Sequence, residues 1–255
     1  GERLKILTSF RLGFLKPNLP RNGEPRTGLS MGGHTELTAK RWDIQRDDQD
    51  QMAYDSHQNL AKAYESGFMD DLISPFNGLE KDNILRPQTT KEKLATLGPV
   101  FDRNGGTLSA GNSSALTDGA SAVLLASEEW AKEKGLPVLA YITDYETSAV
   151  DFIGKDSEYK EELLLAPAYA VPKMLARNNI ALQDFDFYEI HEAFAAQVLA
   201  TLKCWNDNGF CKDRLGLDGS LGEIDRTKLN VNGSSLATGH PFAATGGRIV
   251  GNLAK

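Results

Sequence analysis

From Gly105 to the end of the chain, short apolar runs alternate with stretches of helical periodicity, and this alternation limits the fold more than any other feature. The runs 120–126, 137–143, 185–190 and 229–237 read as strands, and 130–134, 172–178, 191–205 and 246–255 read as helices. Strands alternating with helices define an α/β architecture. The earlier part reads differently. Leu37, Trp42, Ile44, Met52, Tyr54, Leu60, Ala61 and Tyr64 fall at helical spacings over 35–66. A break at Arg46-Asp47-Asp48 opens a second helix there, because acidic residues suit a helix N-terminus. Residues 1–30 read as irregular, 71–97 as turn-rich with one short helix near 91–97, and 206–228 as a polar insertion. No internal repeat of solenoid period is present.

Composition narrows the function. With 28 Lys and Arg against 35 Asp and Glu, the net charge of -7 lacks the basic excess expected of a nucleic-acid binder. No apolar run approaches the roughly 18 residues of a membrane-spanning helix. Two cysteines in 255 residues are too few for a disulfide scaffold and predict buried thiols in a reducing compartment. No Cys-His cluster has metal-ligand spacing, so no metal site is expected. The chain opens at Gly1 without a methionine or a signal segment. It stops at Lys255 inside a helical pattern with no stop signal, which leads us to expect a piece of a longer protein.

Three segments carry chemistry. Tyr188-Glu189-Ile190-His191-Glu192-Ala193-Phe194 delivers a His-Glu pair where a strand turns into a helix, the place where α/β folds bind ligands. There His191 can hold a water or donate to a developing oxyanion, or else merely satisfy the helix N-terminus. In Thr238-Gly239-His240-Pro241-Phe242, glycine allows close backbone approach and proline fixes φ. The imidazole of His240 is thereby held rigidly, as a general base requires, although a purely structural turn histidine fits the same pattern. Thr107 to Ala120 is a loop of small residues that lets a ligand approach main chain and hydroxyls; read alone, it is a flexible connector.

Taken together, in order and spacing, the Gly-His-Pro turn, the His-Glu-Ala-Phe-Ala stretch and the Ala110-Gly111-Asn112-Ser113-Ser114 loop resemble the thiolase family. The segment Met31-Gly32-Gly33-His34-Thr35-Glu36 resembles the family's Met-Gly-x-x-x-Glu. Most thiolases carry Asn where His191 stands, and the His version is similar to the thiolase subunit of fatty-acid β-oxidation complexes. The resemblance implies an α/β thiolase fold of layered αβαβα type, incomplete, with a loop domain. Residues 1–116 would be mostly the loop domain covering CoA, 117–135 the last strand and helix of the N-terminal half, and 136–255 a truncated C-terminal half.

The implied activity is acyl transfer, in which CoA cleaves a 3-ketoacyl-CoA to acetyl-CoA and a shortened acyl-CoA. CoA is then a co-substrate, and no cofactor is bound permanently. By resemblance His240 is the base, His191 holds the oxyanion-hole water, and Glu192 supports them. Ser114 and Ala110 match the pantetheine loop, Met31, Phe101 and Ala193 match pocket-lining positions, and Arg86 matches an arginine near the nucleotide end of CoA. A homo-oligomer is implied, with a hydratase/dehydrogenase subunit as a candidate partner, in the cytoplasm of a bacterium or in mitochondria or peroxisomes of a eukaryote. Neither family cysteine has a counterpart: Cys204 and Cys211 lie between the two His motifs and match neither position, so the isolated chain is expected to be inactive. Two other readings are a biosynthetic acetoacetyl-CoA thiolase and a non-catalytic module that binds CoA or a protein partner.

Overall fold

The computed structural model describes residues 22–154 and 162–255, so of the irregular stretch expected over 1–30 only its end is described. The helices are α1 Met31–Arg41, α2 Arg46–Glu65, α3 Lys91–Ala95, α4 Glu128–Lys134, α5 Ala166–Asn178, α6 Ala195–Asn206, α7 Asn208–Asp213, α8 Ser235–Thr238 and α9 Thr245–Ala254. Short 3₁₀ turns occur at Leu182–Asp184 and Arg226–Lys228. Side chains cap several starts: Ser30 Oγ accepts from Gly33 N–H, and Asp207 from Phe210 N–H. At the end of α4, Gly135 takes the left-handed conformation that closes a helix (φ 63°).

Helix α6 is the axis of the core. All residues from Ala195 to Leu202 are buried, as are Cys204 and Trp205, while α1, α2, α5 and α7 pack around it. A helix so largely apolar must be covered on most of its sides, and only Lys203 and Asn206 reach solvent. Helix α5 begins six residues before the reading that started it at Pro172. A proline in a helix leaves the carbonyl four residues back without a donor. Here that carbonyl, on Ala168, accepts from the Trp205 indole at 3.3 Å, so packing against α6 makes the internal proline tolerable.

The expected strands form no ladder among the described residues. Segments 120–126 and 137–143 are without regular structure, and Leu124, Leu139 and Tyr145 are 73%, 70% and 80% exposed. The reason is physical: a strand exists only through its neighbour's hydrogen bonds, which local sequence does not supply. Arg177 of α5 tethers the second segment through ion pairs with Asp144 and Glu146, both at 2.7 Å. Runs 185–190 and 229–237 do meet, but in a single parallel bridge between Tyr188 and Leu229. Tyr188 N–H donates to Lys228 O, and Asn230 N–H donates back to Tyr188 O. Asn230 then turns left-handed (φ 48°), and its side chain takes over both backbone groups of Ile190. That side chain ends the pairing and sends the chain into α8 instead of along a strand.

Candidate functional site

Where the two runs diverge, the chain delivers His191 and Glu192 four and three residues before α6 begins, so neither lies within the helix as 191–205 had suggested. Glu192 is 2% exposed and fully engaged. Its Oε1 accepts from Asn230 Nδ2 (2.7 Å), and its Oε2 accepts from Ser56 Oγ (2.7 Å) and Leu236 N–H (3.3 Å). Burial pushes its pKa upward, against the pull of these donors and the nearby Arg248. One side chain thus joins α2, the 230 turn and α8.

The turn that closes α8 presents His240. Its backbone N–H donates to Ala115 O (2.8 Å), and Gly239 (φ 85°) packs so tightly on Thr117 that a Cβ there would lie 2.6 Å from its hydroxyl. The ring is flanked by Phe242, centroids 4.9 Å apart, and by His191, centroids 4.2 Å apart at 49°. Each imidazole is anchored at Nδ1: His240 to Thr245 Oγ1 and His191 to Ser235 Oγ, both at 2.7 Å. Arg248 from α9 donates to Ser235 Oγ at 3.0 Å, and its buried Nε and Nη1 make no hydrogen bond among the described residues.

Both rings are biased toward the neutral form. Burial pushes the His191 pKa down to about 4, with the charges of His240 and Arg248 adding to it. Burial and then Arg248 lower that of His240 as well. Nearby, burial raises the Glu189 carboxyl to about 7. A neutral imidazole can hold or release a proton at the reacting group, whereas an imidazolium cannot act as a base.

This gives a pH prediction. An unfolded histidine takes up a proton near pH 6.5, while folded His191 resists until about pH 4. Across that window the unfolded state binds more protons, so His191 costs the fold stability as pH falls. The stability of wild type relative to His191→Asn should therefore decrease from pH 6.5 to 4.5 in urea melts. A difference that stays constant with pH would contradict the shift.

The loop of small residues is pinned, not flexible. Glu36 accepts from the N–H groups of Thr107 (2.8 Å) and Leu108 (3.1 Å). Asn112 accepts from Ser109 N–H (2.7 Å) and donates to Asp50 (2.9 Å). The loop then pairs with the chain beside the histidines: Ser114 N–H donates to Ala193 O (2.8 Å) and Ala195 N–H to Asn112 O (3.0 Å). Phe101 lies against Gly32, where a Cβ would come within 2.1 Å of its ring, and meets Phe194 edge to face at 5.8 Å. Phe101, Ser114, Ala193, His191 and His240 are thus linked by direct contacts or through an adjacent residue, Met31 precedes the Gly32 on which Phe101 packs, and Ala110 is exposed in the same loop. Arg86 stands apart. Its Nη1 donates to the carbonyls of Asn83 and Leu85, and its N–H to His57 Nδ1.

Sequence reasoning did not single out Ser56, Asn230, Ser235, Thr245 or Arg248. The last three sit within or beside the Gly-His-Pro segment, where a search for hydroxyls able to reach an imidazole would have found Ser235 and Thr245, though not Arg248. Ser56, 136 residues from Glu192, carries no local signal.

A pinned loop of small residues beside two anchored, neutral histidines, one on a Gly-His-Pro turn, defines a site class, and comparison with known proteins agrees. The sequence matches the thiolase N-terminal domain over residues 23–129 and the thiolase C-terminal domain over 136–255. The chain belongs to the thiolase family. It is 43% identical to proteins named 3-ketoacyl-CoA thiolase from Pectobacterium atrosepticum and Yersinia enterocolitica, over 98% of this chain and 57% of theirs. The chain thus spans just over half the length of these curated relatives.

Among solved structures, acetyl-CoA acetyltransferase of Bacillus anthracis is 37% identical with a TM-score of 0.73, over 91% of this chain and 55% of its own. Human mitochondrial 3-ketoacyl-CoA thiolase in complex with CoA is 29% identical with a TM-score of 0.71, over 91% and 53%. The dimeric peroxisomal thiolase of Saccharomyces cerevisiae is 35% identical with a TM-score of 0.72, over 89% and 52%. The fold is accordingly the thiolase α/β fold, with its strand segments left without ladder partners among the described residues. No helix among the described residues is long and apolar enough to cross a membrane.

Proposed function

We propose that this chain supplies the histidine pair and the CoA-binding loop of a thiolase acyltransferase that cleaves 3-ketoacyl-CoA with CoA in fatty-acid β-oxidation. The observation that carries this reading is the junction itself. Ser114 N–H donates to Ala193 O on one side, and the next residue's carbonyl, Ala115 O, accepts from His240 N–H on the other. A thioester seated along that loop would present its carbonyl to the two imidazoles. His240 acts as the base at the thiol, and His191 holds the water or oxygen that bears the developing charge; donors placed before charge develops are worth most. Glu192 touches neither reactant; it fixes the backbone on which His191 rides.

CoA is the co-substrate. Ser114, Ala110, Met31, Phe101 and Ala193 form the pantetheine side of the surface, and Arg86 stands toward the nucleotide end. In this reading residues up to about 116 act largely as the cover over CoA, and the protein works inside the cell as a homo-oligomer, with a hydratase/dehydrogenase subunit as partner. The degradative direction is preferred to the biosynthetic because His191 stands where most thiolases carry Asn.

Binding of CoA to the 255-residue chain, followed by titration calorimetry, tests the reading. The Ser114 hydroxyl makes no hydrogen bond among the described residues and is free for a ligand, and a neutral hydrogen bond is worth ~0.5–1.5 kcal/mol. Ser114→Ala should therefore raise the dissociation constant about threefold to tenfold. Unchanged affinity would remove Ser114 from the contact, and no CoA binding by the wild-type chain would count against the function.

A further inference from the structure

We propose that Thr245 and the Ser235–Arg248 pair lock the two histidines in opposite tautomers, His240 with its proton on Nδ1 and His191 with its proton on Nε2. The inference deepens the functional reading above and rests on it for the use of the two rings; the tautomers themselves rest on hydrogen-bond valence at Ser235 and on the Thr245 back-bond. A hydroxyl has one proton to give and two lone pairs to accept with. The back-bond geometry common for threonine in a first helical turn directs the Thr245 Oγ1 proton toward Pro241 O, 3.3 Å away. Toward His240 Nδ1, at 2.7 Å, it can then only accept, so Nδ1 carries the proton and Nε2 is bare.

At His191 the chain of bonds runs the other way. Arg248 Nη2 can only donate, and it donates to Ser235 Oγ at 3.0 Å. Ser235 is fully buried, and its hydroxyl proton has His191 Nδ1 as acceptor at 2.7 Å. If His191 Nδ1 held a proton instead, the Ser235 proton would be buried with no acceptor, the arrangement folded proteins avoid. The guanidinium also polarises the hydroxyl into a better donor. His191 Nδ1 therefore accepts, and its proton resides on Nε2.

Two rings 4.2 Å apart are thus given opposite faces, a lone pair on His240 and an N–H on His191. The first can take a thiol proton at Nε2 while Thr245 holds Nδ1–H; the second can donate to an oxygen gaining charge. Ser235, Thr245 and Arg248 are positioning residues, since they touch the imidazoles and not the reactants.

Long-range proton–nitrogen correlation NMR of the 255-residue chain with ¹⁵N-histidine, near pH 7, reads the tautomers directly. His240 should show protonated Nδ1 and bare Nε2, and His191 the reverse. Thr245→Val should release His240 toward the Nε2–H form, and Thr245→Ser should restore it. Ser235→Ala should release His191 in the same way, and Ser235→Thr should restore its bare Nδ1. The same tautomer at both rings in the wild type, or rings unmoved by Thr245→Val and Ser235→Ala, would overturn the proposal. Opposite tautomers in a chain that fails to bind CoA would support it while counting against the functional reading.

Discussion

Incubated with acetoacetyl-CoA and CoA, a protein of these 255 residues will catalyse no steady thiolysis. Transfer of an acyl group through an enzyme thioester needs a thiolate beside a base, and the chain has two thiols. Both are fully buried. Cys204, on α6, packs with Leu165, Ala168 and Phe210, and burial pushes its thiol well above the ordinary range. Cys211 is raised by burial too, and its thiol donates to the carbonyls of Cys204 and Trp205 at 3.5 and 3.4 Å. A protonated thiol engaged with backbone oxygens is a small apolar residue, not a nucleophile. The paired imidazoles could at most polarise a bound thioester toward slow hydrolysis. The measurement is loss of the acetoacetyl-CoA enolate absorbance. Turnover near ~1 s⁻¹, within the range typical of enzymes, would mean that a nucleophile within this chain has been overlooked.

The second large effect is structural. Glu192→Ala should destabilise the fold by about 3–5 kcal/mol, because three donors lose their acceptor at a buried site and a cavity replaces the carboxyl. Ser56 Oγ, Asn230 Nδ2 and Leu236 N–H come from segments far apart in sequence, so no local adjustment can satisfy all three. Against a total stability of ~5–15 kcal/mol, a loss of this size is a large share. Glu192→Gln retains one acceptor and a similar volume, and should lose clearly less. Urea melts of the three proteins check the order. An alanine variant within ~1 kcal/mol of wild type would show that Glu192 does not hold the site together.

The helices were legible because their information is local. The periodicity of Leu37 to Tyr64 with its break at Arg46 reappears as α1 and α2, and the pattern 246–255 reappears as α9. Helix α5 was read short because Pro172 looks like a start; its tolerance inside the helix depends on Trp205, 33 residues away. The strands failed for the same reason: whether 137–143 pairs is decided by another segment, and Asn230 shows one side chain ending a pairing that pattern alone would extend. In the site, the histidines and the Ser114 loop were visible because glycine, proline and histidine in close spacing restrict what a turn can be. Their anchors were not. A serine such as Ser235 is chemically ordinary until the fold sets it between an imidazole and a guanidinium.

The two imidazoles hang on supports of unequal strength. His191 is fastened through its neighbour Glu192 to the buried middle of the molecule, whereas the backbone of His240 hangs by one hydrogen bond from Ala115, in a segment whose continuation through Leu124 lies open to solvent. Proteins open in pieces, and segments with few buried contacts open at the lowest free energy. The 4.2 Å gap between the rings therefore depends on the 115–126 segment as well as on the Thr245 anchor. In amide exchange the His240 N–H will trade its proton well before the interior amides of α6, and whatever clamps that outer segment sharpens the alignment of the pair without touching either ring.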